Sequence, residues 1–392
     1  MFQAVHIKMR SKRKICVITG SRAEYGLLRI LLTKIGESDD LLLKLIVTGS
    51  HLSKEFGETI EEIKHDGIRI DYELDILSDS NATNDVSNSI AKVFYDFPKI
   101  LKKIKPDLIL VLGDRYEIFA CVTSALFLKI PVAHIHGGEV SQGAFDEALR
   151  HSITKMSHLH FTSSMEHKKR VEQLGEDPEK VFNVGAPGVE AIKNINLIAK
   201  EELENILNIK FSNRTLLITL HPETLENDIS PEDQIDNLLN ALKSIKDATF
   251  IFTKANADPG GEIINKRIHT FVVKNPEKSY LFPSLGQKKY LSLLNYSFAM
   301  IGNSSSGLIE APSLNKPFLN IGNRQKGRMF GGNIINCQNS EELIKIGLEE
   351  LFHKDFRTFT NPFDGGNTSK KILEVIRSAD LSKLINKKFY DL

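Results

Sequence analysis

From Lys14 onward, short apolar runs alternate with amphipathic stretches. KICVIT (14–19) reads as a buried strand, and a helix is predicted over 25–37. LLLKLIVTG (41–49) is a second strand, followed by helices over 55–65 and 85–104. DLILVLG (107–113) and PVAHIH (131–136) are further strands, with a helix over 116–128 between them. These runs are continuously apolar rather than alternating, the pattern of strands covered on both faces. Strands separated by helices of about 10–15 residues predict right-handed βαβ units and a parallel sheet. The pattern continues through SHLHFTS and KVFNVGAPG, and a polar stretch over 193–213 follows.

A second series of the same kind then begins. TLLITLHPE (215–223), ATFIFTKAN (248–256), SYLFP (279–283) and FAMIGN (298–303) read as strands, with helices over 230–246, 261–271 and 288–296. The final stretch, 369–392, is predicted helical and lysine-rich. The expected organisation is a disordered tail over 1–13, a first Rossmann-like domain over 14–190 completed by the helix 369–392, and a second over 191–368, connected near 187–196. Two doubly wound α/β domains facing each other would put a cleft at the carboxyl edges of both sheets, where open α/β sheets bind ligands.

The 392 residues are enough for two cores. Lys and Arg total 51 against 50 Asp and Glu, a formal net charge of +1. That balance argues against a dedicated nucleic-acid binder, so any bound anion needs a local cluster of donors. Cys16, Cys121 and Cys337 lack metal or disulfide spacing, and the first two sit inside apolar runs as small core residues. This composition fits a reducing, cytoplasmic setting. The opening MFQAVHIKMRSKRK has its basic residues after a short mixed stretch, the reverse of a secretory signal, and Met9 is a possible alternative start. No run approaches the roughly 18 apolar residues of a membrane span.

The turns that end the strands carry the chemistry. TGSRAEYG (19–26) opens a helix, and Arg22 there is either a phosphate ligand or a surface residue of a plain turn. In GDRYE (113–117), Asp114 is either a cap for the following helix or, with Arg115, a cleft residue. HIHGGEVSQGAFDEALRH (134–151) is the densest polar cluster, with His134, His136, Glu139, Asp146, Glu147, Arg150 and His151. It has no metal-ligand spacing, and crowded carboxylates suit acid–base work better, so no metal is expected. His221 in LHPET stands at a strand tip of the second half. IGNSSSGLIEAPSLNKP (301–317) places Ser304 and Ser305 before a helix whose N-terminus favours a diphosphate, with Glu310 in reach of a ribose diol. Arg324 in NIGNRQKGR follows another strand and can meet the same anion. The acidic residue is in the wrong place for a dinucleotide fingerprint, so NAD is not proposed and no cofactor is expected.

Taken in order, SRAEYG, GDRYE, HIHGGE with AFDEALRHSITK, LHPET, GNSSSGLIEAP and NIGNRQKGR resemble the hydrolysing UDP-N-acetylglucosamine 2-epimerases of bacterial sialic-acid synthesis, over nearly the whole chain. The resemblance implies a GT-B fold, two Rossmann-like domains with the nucleotide held mainly by the second. HIHGGE and NSSSG, in place of the HVEAGLR-like and serine–glycine–glycine motifs of non-hydrolysing relatives, place it on the hydrolysing branch. Some hydrolysing members have glutamate where this chain has His136, which leaves that role open between His136 and Glu139.

The implied reaction is anti elimination of UDP from UDP-N-acetylglucosamine to 2-acetamidoglucal, then water addition giving N-acetylmannosamine. The resemblance assigns acid–base work to Asp114, Glu139 and Asp146 with His136 adjacent, and places His221 at the leaving phosphate. Arg22, Arg115, Ser304, Ser305 and Arg324 would hold phosphates, Glu310 the ribose, and Asn256 and Asp258 would line the same cleft. Loops such as 78–84 would read the sugar's 4- and 6-substituents, and UDP-N,N′-diacetylbacillosamine or a GDP-linked sugar are alternative donors. A homodimer or dimer of dimers is expected, and the resemblance implies a place in sialic-acid and capsule polysaccharide synthesis. A GT-B glycosyltransferase, which would need an acceptor, and a nucleotide-sugar-binding module without turnover are the rival readings.

Overall fold

The structure is a computed structural model. It describes residues 12–53, 59–77, 83–140, 146–223, 229–255, 260–283, 285–356 and 359–392. The chain divides into two compact units, one running to Ala191 and resuming at Gly365–Leu392, the other Ile192–Asp364.

In the first unit, β1 (Arg13–Thr19), α1 (Arg22–Gly36), β2 (Leu41–Thr48), α2 (Ile60–His65), β3 (Tyr72–Leu74), α3 (Thr83–Ile104), β4 (Leu108–Leu112), α4 (Tyr116–Phe127) and β5 (Val132–Ile135) follow one another. They continue with α5 (Asp146–Met156), β6 (Leu159–Thr162), α6 (Met165–Gln173), β7 (Val181–Asn183) and α7 (Pro187–Asn194). Among the described residues the strands form one parallel sheet in the order β3-β2-β1-β4-β5-β6-β7. Its two faces are read directly from β1: Ile15 and Val17 enter one apolar cluster with Leu28 and Leu32 of α1, and Cys16 and Ile18 enter the other with Phe97 of α3 and Cys121 of α4. Successive strand residues point to opposite faces, so a continuous apolar run is what a doubly covered strand requires. Burial pushes both thiols well up, consistent with inert core cysteines.

The second unit runs α8 (Lys200–Leu207), β8 (Thr215–Thr219), α9 (Pro231–Lys243), β9 (Thr249–Thr253), α10 (Gly261–Lys274), β10 (Ser279–Phe282), α11 (Gly286–Tyr296), β11 (Ala299–Gly302), α12 (Ser306–Ser313), β12 (Phe318–Ile321), β13 (Ile334–Cys337) and α13 (Glu341–His353). Its strands pair in parallel in the order β10-β9-β8-β11-β12-β13. Both sheets therefore reverse direction between a first strand and the one beside it, β1/β4 and β8/β11. That reversal is the switch point at which open α/β sheets hold ligands. The expected pair of doubly wound α/β folds is what the chain adopts.

Two expectations are corrected. Strand β1 starts at Arg13, inside the expected tail, because Arg13 pairs with Leu41 of β2; residues 1–11 lie outside the described residues. The last stretch is not one helix. It forms α14 (Thr368–Ser378) and α15 (Leu381–Leu384), and 385–392 leave the helical path. Tertiary bonds win there: Lys387 Nζ donates to the Lys155 and Ser157 carbonyls at 2.7 and 2.6 Å, and the Tyr390 N–H to Gly175 O at 3.0 Å. Ile372, Leu373 and Ile376 of α14 enter the same apolar cluster as Leu28 and Leu31 of α1. Among the described residues no helix is long and apolar enough to cross a membrane.

Candidate active site

At the carboxyl edge of the first sheet, β1 ends in Gly20–Ser21. The Ser21 hydroxyl accepts the Glu24 N–H, and Glu24 reaches back to accept the Gly20 N–H at 2.6 Å, a capping-box arrangement that starts α1. Glu24 is buried beside Glu117, the second residue of α4, whose Oε1 accepts from Arg115 Nε. One oxygen of each carboxylate, Glu24 Oε1 and Glu117 Oε2, is buried without a partner among the described residues. Burial, then the charge of Glu117, pushes the Glu24 carboxyl up to about 8. Folding thus favours the protonated acid, and its contribution is full below the ordinary value of 4.5 and lost as pH rises through about 8. Glu24→Gln, which has no proton to lose, is expected to lose less melting temperature than the parent between about pH 6 and 9. Equal losses in differential scanning would contradict this.

The β4–α4 turn carries Asp114 and Arg115. Asp114 does not cap α4, because the cap position is Arg115. The Asp114 carboxylate instead accepts from Arg150 Nη2 of α5. Arg150 is itself 4% exposed, and its Nη1 donates to the Glu139 carbonyl at 2.9 Å and to Glu147 at 3.3 Å. One guanidinium so ties the turns after β4 and β5 to α5. Asp146 opens α5, half-buried, and burial together with Asp114 raises its carboxyl.

Beyond β5 comes His136 at φ +69°, a left-handed conformation rare for a side chain of this size. It is held by its N–H to Phe161 O at 3.0 Å. Its Nδ1 lies 2.9 Å from Glu139 Oε1, and that oxygen also accepts from Ser163 Oγ at 2.8 Å. Ser163 Oγ in turn lies 2.8 Å from His167 Nδ1. Gly138 between them sits at φ +79°, and a Cβ there would come within 2.4 Å of the His167 carbonyl, so only glycine fits. Burial raises the Glu139 carboxyl, but the charge and hydrogen bond of His136, then His167 and Ser163, outweigh it and hold it at about 2. Burial likewise works against charge on His136, and Glu139 reverses it, so the net shift is upward. His136 Nε2 is buried and has no partner among the described residues. His134, by contrast, is a structural residue of β5: Thr154 and the Gly113 carbonyl take its two nitrogens, and burial keeps it neutral, at about 3.

On the second unit, the strand ends are tied through Asn303. Its side chain exchanges two bonds with the His221 backbone, at 2.7 and 2.8 Å, which fixes the His221 turn after β8. The Asn303 carbonyl accepts from Gln325 at 2.7 Å and from Arg324 Nη1 at 3.3 Å. Ser304 and Ser305 precede α12, whose cap position, Ser305, makes no side-chain capping bond. The half-buried Glu310 accepts from the Ser306 hydroxyl, itself 2.7 Å from Tyr290 OH, and burial raises the Glu310 carboxyl, partly offset by Ser306. Glu223 anchors the Asn323 N–H at 2.9 Å.

Residues 33–377 match the model of the family described as UDP-N-acetylglucosamine 2-epimerase. The chain belongs to that family. A GDP/UDP-N,N′-diacetylbacillosamine 2-epimerase (hydrolyzing) of Campylobacter jejuni is 42% identical over 387 residues, covering 97% of this chain and 100% of the relative. Polysialic acid biosynthesis protein P7 of Escherichia coli is 40% identical, covering 97% and 98%. The crystal structure of UDP-GlcNAc 2-epimerase from Neisseria meningitidis bound to UDP-GlcNAc shares the fold, with a TM-score of 0.77 at 20% identity over 93% of this chain and 100% of that one. The chain is thus a member of a UDP-sugar 2-epimerase family.

In this 2-epimerase, Asp114, Arg115, His136, Glu139 and Asp146 gather at the first sheet's edge, and His221, Ser304, Ser305, Glu310 and Arg324 at the second's. Arg22 joins neither group: it is exposed and pairs with Glu62 at 3.0 Å. Asn256, Asp258 and residues 78–82 lie outside the described residues. Glu24, Glu117, His167 and Gln325 carry no local signal in the sequence, whereas Ser163 is the residue just after β6 and the strand-end rule marks it.

Proposed function

We propose that the chain converts UDP-N-acetylglucosamine to N-acetylmannosamine and UDP by elimination and hydration. The reading is carried by the Asp114, His136, Glu139 and Asp146 array at a strand-end edge in a 2-epimerase family chain. Carbon 2 of the sugar is a weak acid, so the carbon–oxygen bond to UDP breaks ahead of proton loss. The charge that builds at carbon 1 is stabilised by fixed carboxylates, and a well-placed acid or base contributes about 10²–10⁴-fold. On the second unit, the start of α12 with Ser304, Ser305 and Arg324 suits a diphosphate, Glu310 a ribose diol, and His221 the leaving phosphate. Arg22 on the first unit is available to an anion at the cost of its solvent-exposed pair with Glu62, worth at most about 1 kcal/mol. The second reading is the same chemistry on UDP-N,N′-diacetylbacillosamine, favoured by the name of the Campylobacter relative.

Incubation with each donor in deuterated water, with no acceptor present, tests this. UDP and the free 2-epimer, deuterated at carbon 2, are expected together from the true donor. Accumulation of the epimerised UDP-sugar without UDP release would rule out hydrolysis, and no product from either donor would rule out the enzyme reading.

A further inference from the structure

Inverting carbon 2 requires that the proton leave one face of the sugar and return on the other. One fixed group cannot serve both faces. The carboxyl edge of the first sheet carries two arrays, Asp114 bound to Arg150 with Asp146 within their electrostatic reach, and the chain His136–Glu139–Ser163–His167. Glu139 is committed within its array: its Oε1 takes both His136 Nδ1 and Ser163 Oγ. His136 is the opposite case, with Nδ1 engaged and Nε2 buried without a partner among the described residues. A buried ring nitrogen left unpaired is costly, and a left-handed backbone at a non-glycine residue adds strain. Two such costs at one residue, next to a switch point, mark a position kept for chemistry.

Resting on the reaction proposed above, we propose that His136, through Nε2, returns the proton to carbon 2 in the hydration half, while a carboxylate of Asp114 or Asp146 removes it in the elimination half. Glu139 is the positioning residue: it holds the ring through Nδ1 and is itself held by Ser163, which His167 anchors. In elimination, the carbon 2–hydrogen electron pair forms the double bond, the carbon 1–oxygen bond breaks with its pair going to UDP, and the carboxylate keeps the proton until solvent takes it. In hydration, the Nε2 proton adds to carbon 2, water oxygen bonds to carbon 1, and the proton that water sheds restores the imidazolium. The groups that set the charge on His136 are Glu139 on its own turn, Asp114 from the β4 turn, Arg150 from α5, His134 from β5 and His167 from α6. Glu139 dominates the favourable ones, so the ring keeps its proton above the usual histidine range.

His136→Gln separates the halves. UDP release is expected to persist within about 10-fold, free mannose-configured sugar to fall by about 10²-fold or more, and 2-acetamidoglucal to accumulate. Wild-type sugar formation, or UDP and sugar falling in the same proportion without glycal, would overturn the assignment. A parent enzyme that releases neither UDP nor sugar would sink the reaction itself instead. Glu139→Gln, which keeps a hydrogen bond and removes the charge, is expected to move the alkaline limb of the kcat profile down by about 1 pH unit or more with KM unchanged, and Glu139→Asp to restore part of it. A uniform loss at every pH would show a purely structural role and overturn the positioning claim.

Discussion

Replacing Arg150 by methionine is expected to cost the first unit about 3 kcal/mol of stability and to lower kcat by about 10²-fold or more. The side chain is 5% exposed and, among the described residues, donates to the Asp114 carboxylate, the Glu147 carboxylate and the Glu139 carbonyl. Removing one partner of a buried pair typically costs about 3–5 kcal/mol, since the other charge is left in a poor solvent. The lower end applies because the Asp114 and Glu147 side chains keep 25% and 30% exposure and can recover water. The kinetic loss has a separate origin: Asp114 and the Glu139 turn lose the group that fixes their mutual position. Arg150→Lys should regain part of the stability and little of the rate, because one ammonium cannot reproduce the planar fork. Calorimetry and steady-state kinetics on both variants check this. A methionine variant that melts with the parent would show that the bonds of Arg150 carry no net energy.

Gly302→Ala is expected to be the most damaging single methyl in the second unit. Gly302 sits at φ +127°, and a Cβ would lie 1.9 Å from the Thr219 carbonyl oxygen and 2.6 Å from its carbon. Those are backbone atoms of the paired strand β8, with Thr219 opposite Gly302 in register, and no rotamer change relieves the overlap. Backbone strain and overpacking together predict a loss of about 2–6 kcal/mol. The shift would also pull on Asn303, whose N–H donates to that same oxygen at 3.1 Å and whose side chain fixes the His221 turn. UDP affinity is therefore expected to fall along with stability. Gly26→Ala in α1, where nothing lies within 4 Å of the added methyl, is the control and should be neutral or stabilising by about 0.5–1 kcal/mol. If both alanine variants unfold at the same temperature, the close approach of β11 to β8 does not constrain residue 302.

The architecture was legible because its signal is local. An unbroken apolar run that ends in a polar turn announces a doubly covered strand, and the residues just past KICVIT, DLILVLG, PVAHIH and TLLIT are the ones the sheets bring to their edges. What escaped depends on neighbours distant in sequence. Glu24 and Glu117 read as ordinary first-turn acids of α1 and α4, and only the adjacency of β1 and β4 buries them side by side. Ser163 and His167 look like the start of any amphipathic helix until β6 is laid beside β5 and brings them to Glu139. Local rules leave Asp114 open between a helix cap and a cleft residue, and Arg150, 36 residues later, takes its carboxylate away from the cap. The lysine-rich C-terminus read as helix for the same reason, whereas carbonyls at 155, 157 and 175 redirect it.

The return of α14 to the first unit has a consequence for how the polypeptide is made. Residues emerge from the ribosome in order, at about 5–20 per second. The second unit, Ile192–Asp364, is therefore fully synthesised while the first still lacks Ile372, Leu373 and Ile376. For those seconds the groove on Leu28 and Leu31 of α1 stays uncovered, an apolar surface of the kind that chaperones bind and that drives nascent chains to aggregate. The unit begun first is the one finished last.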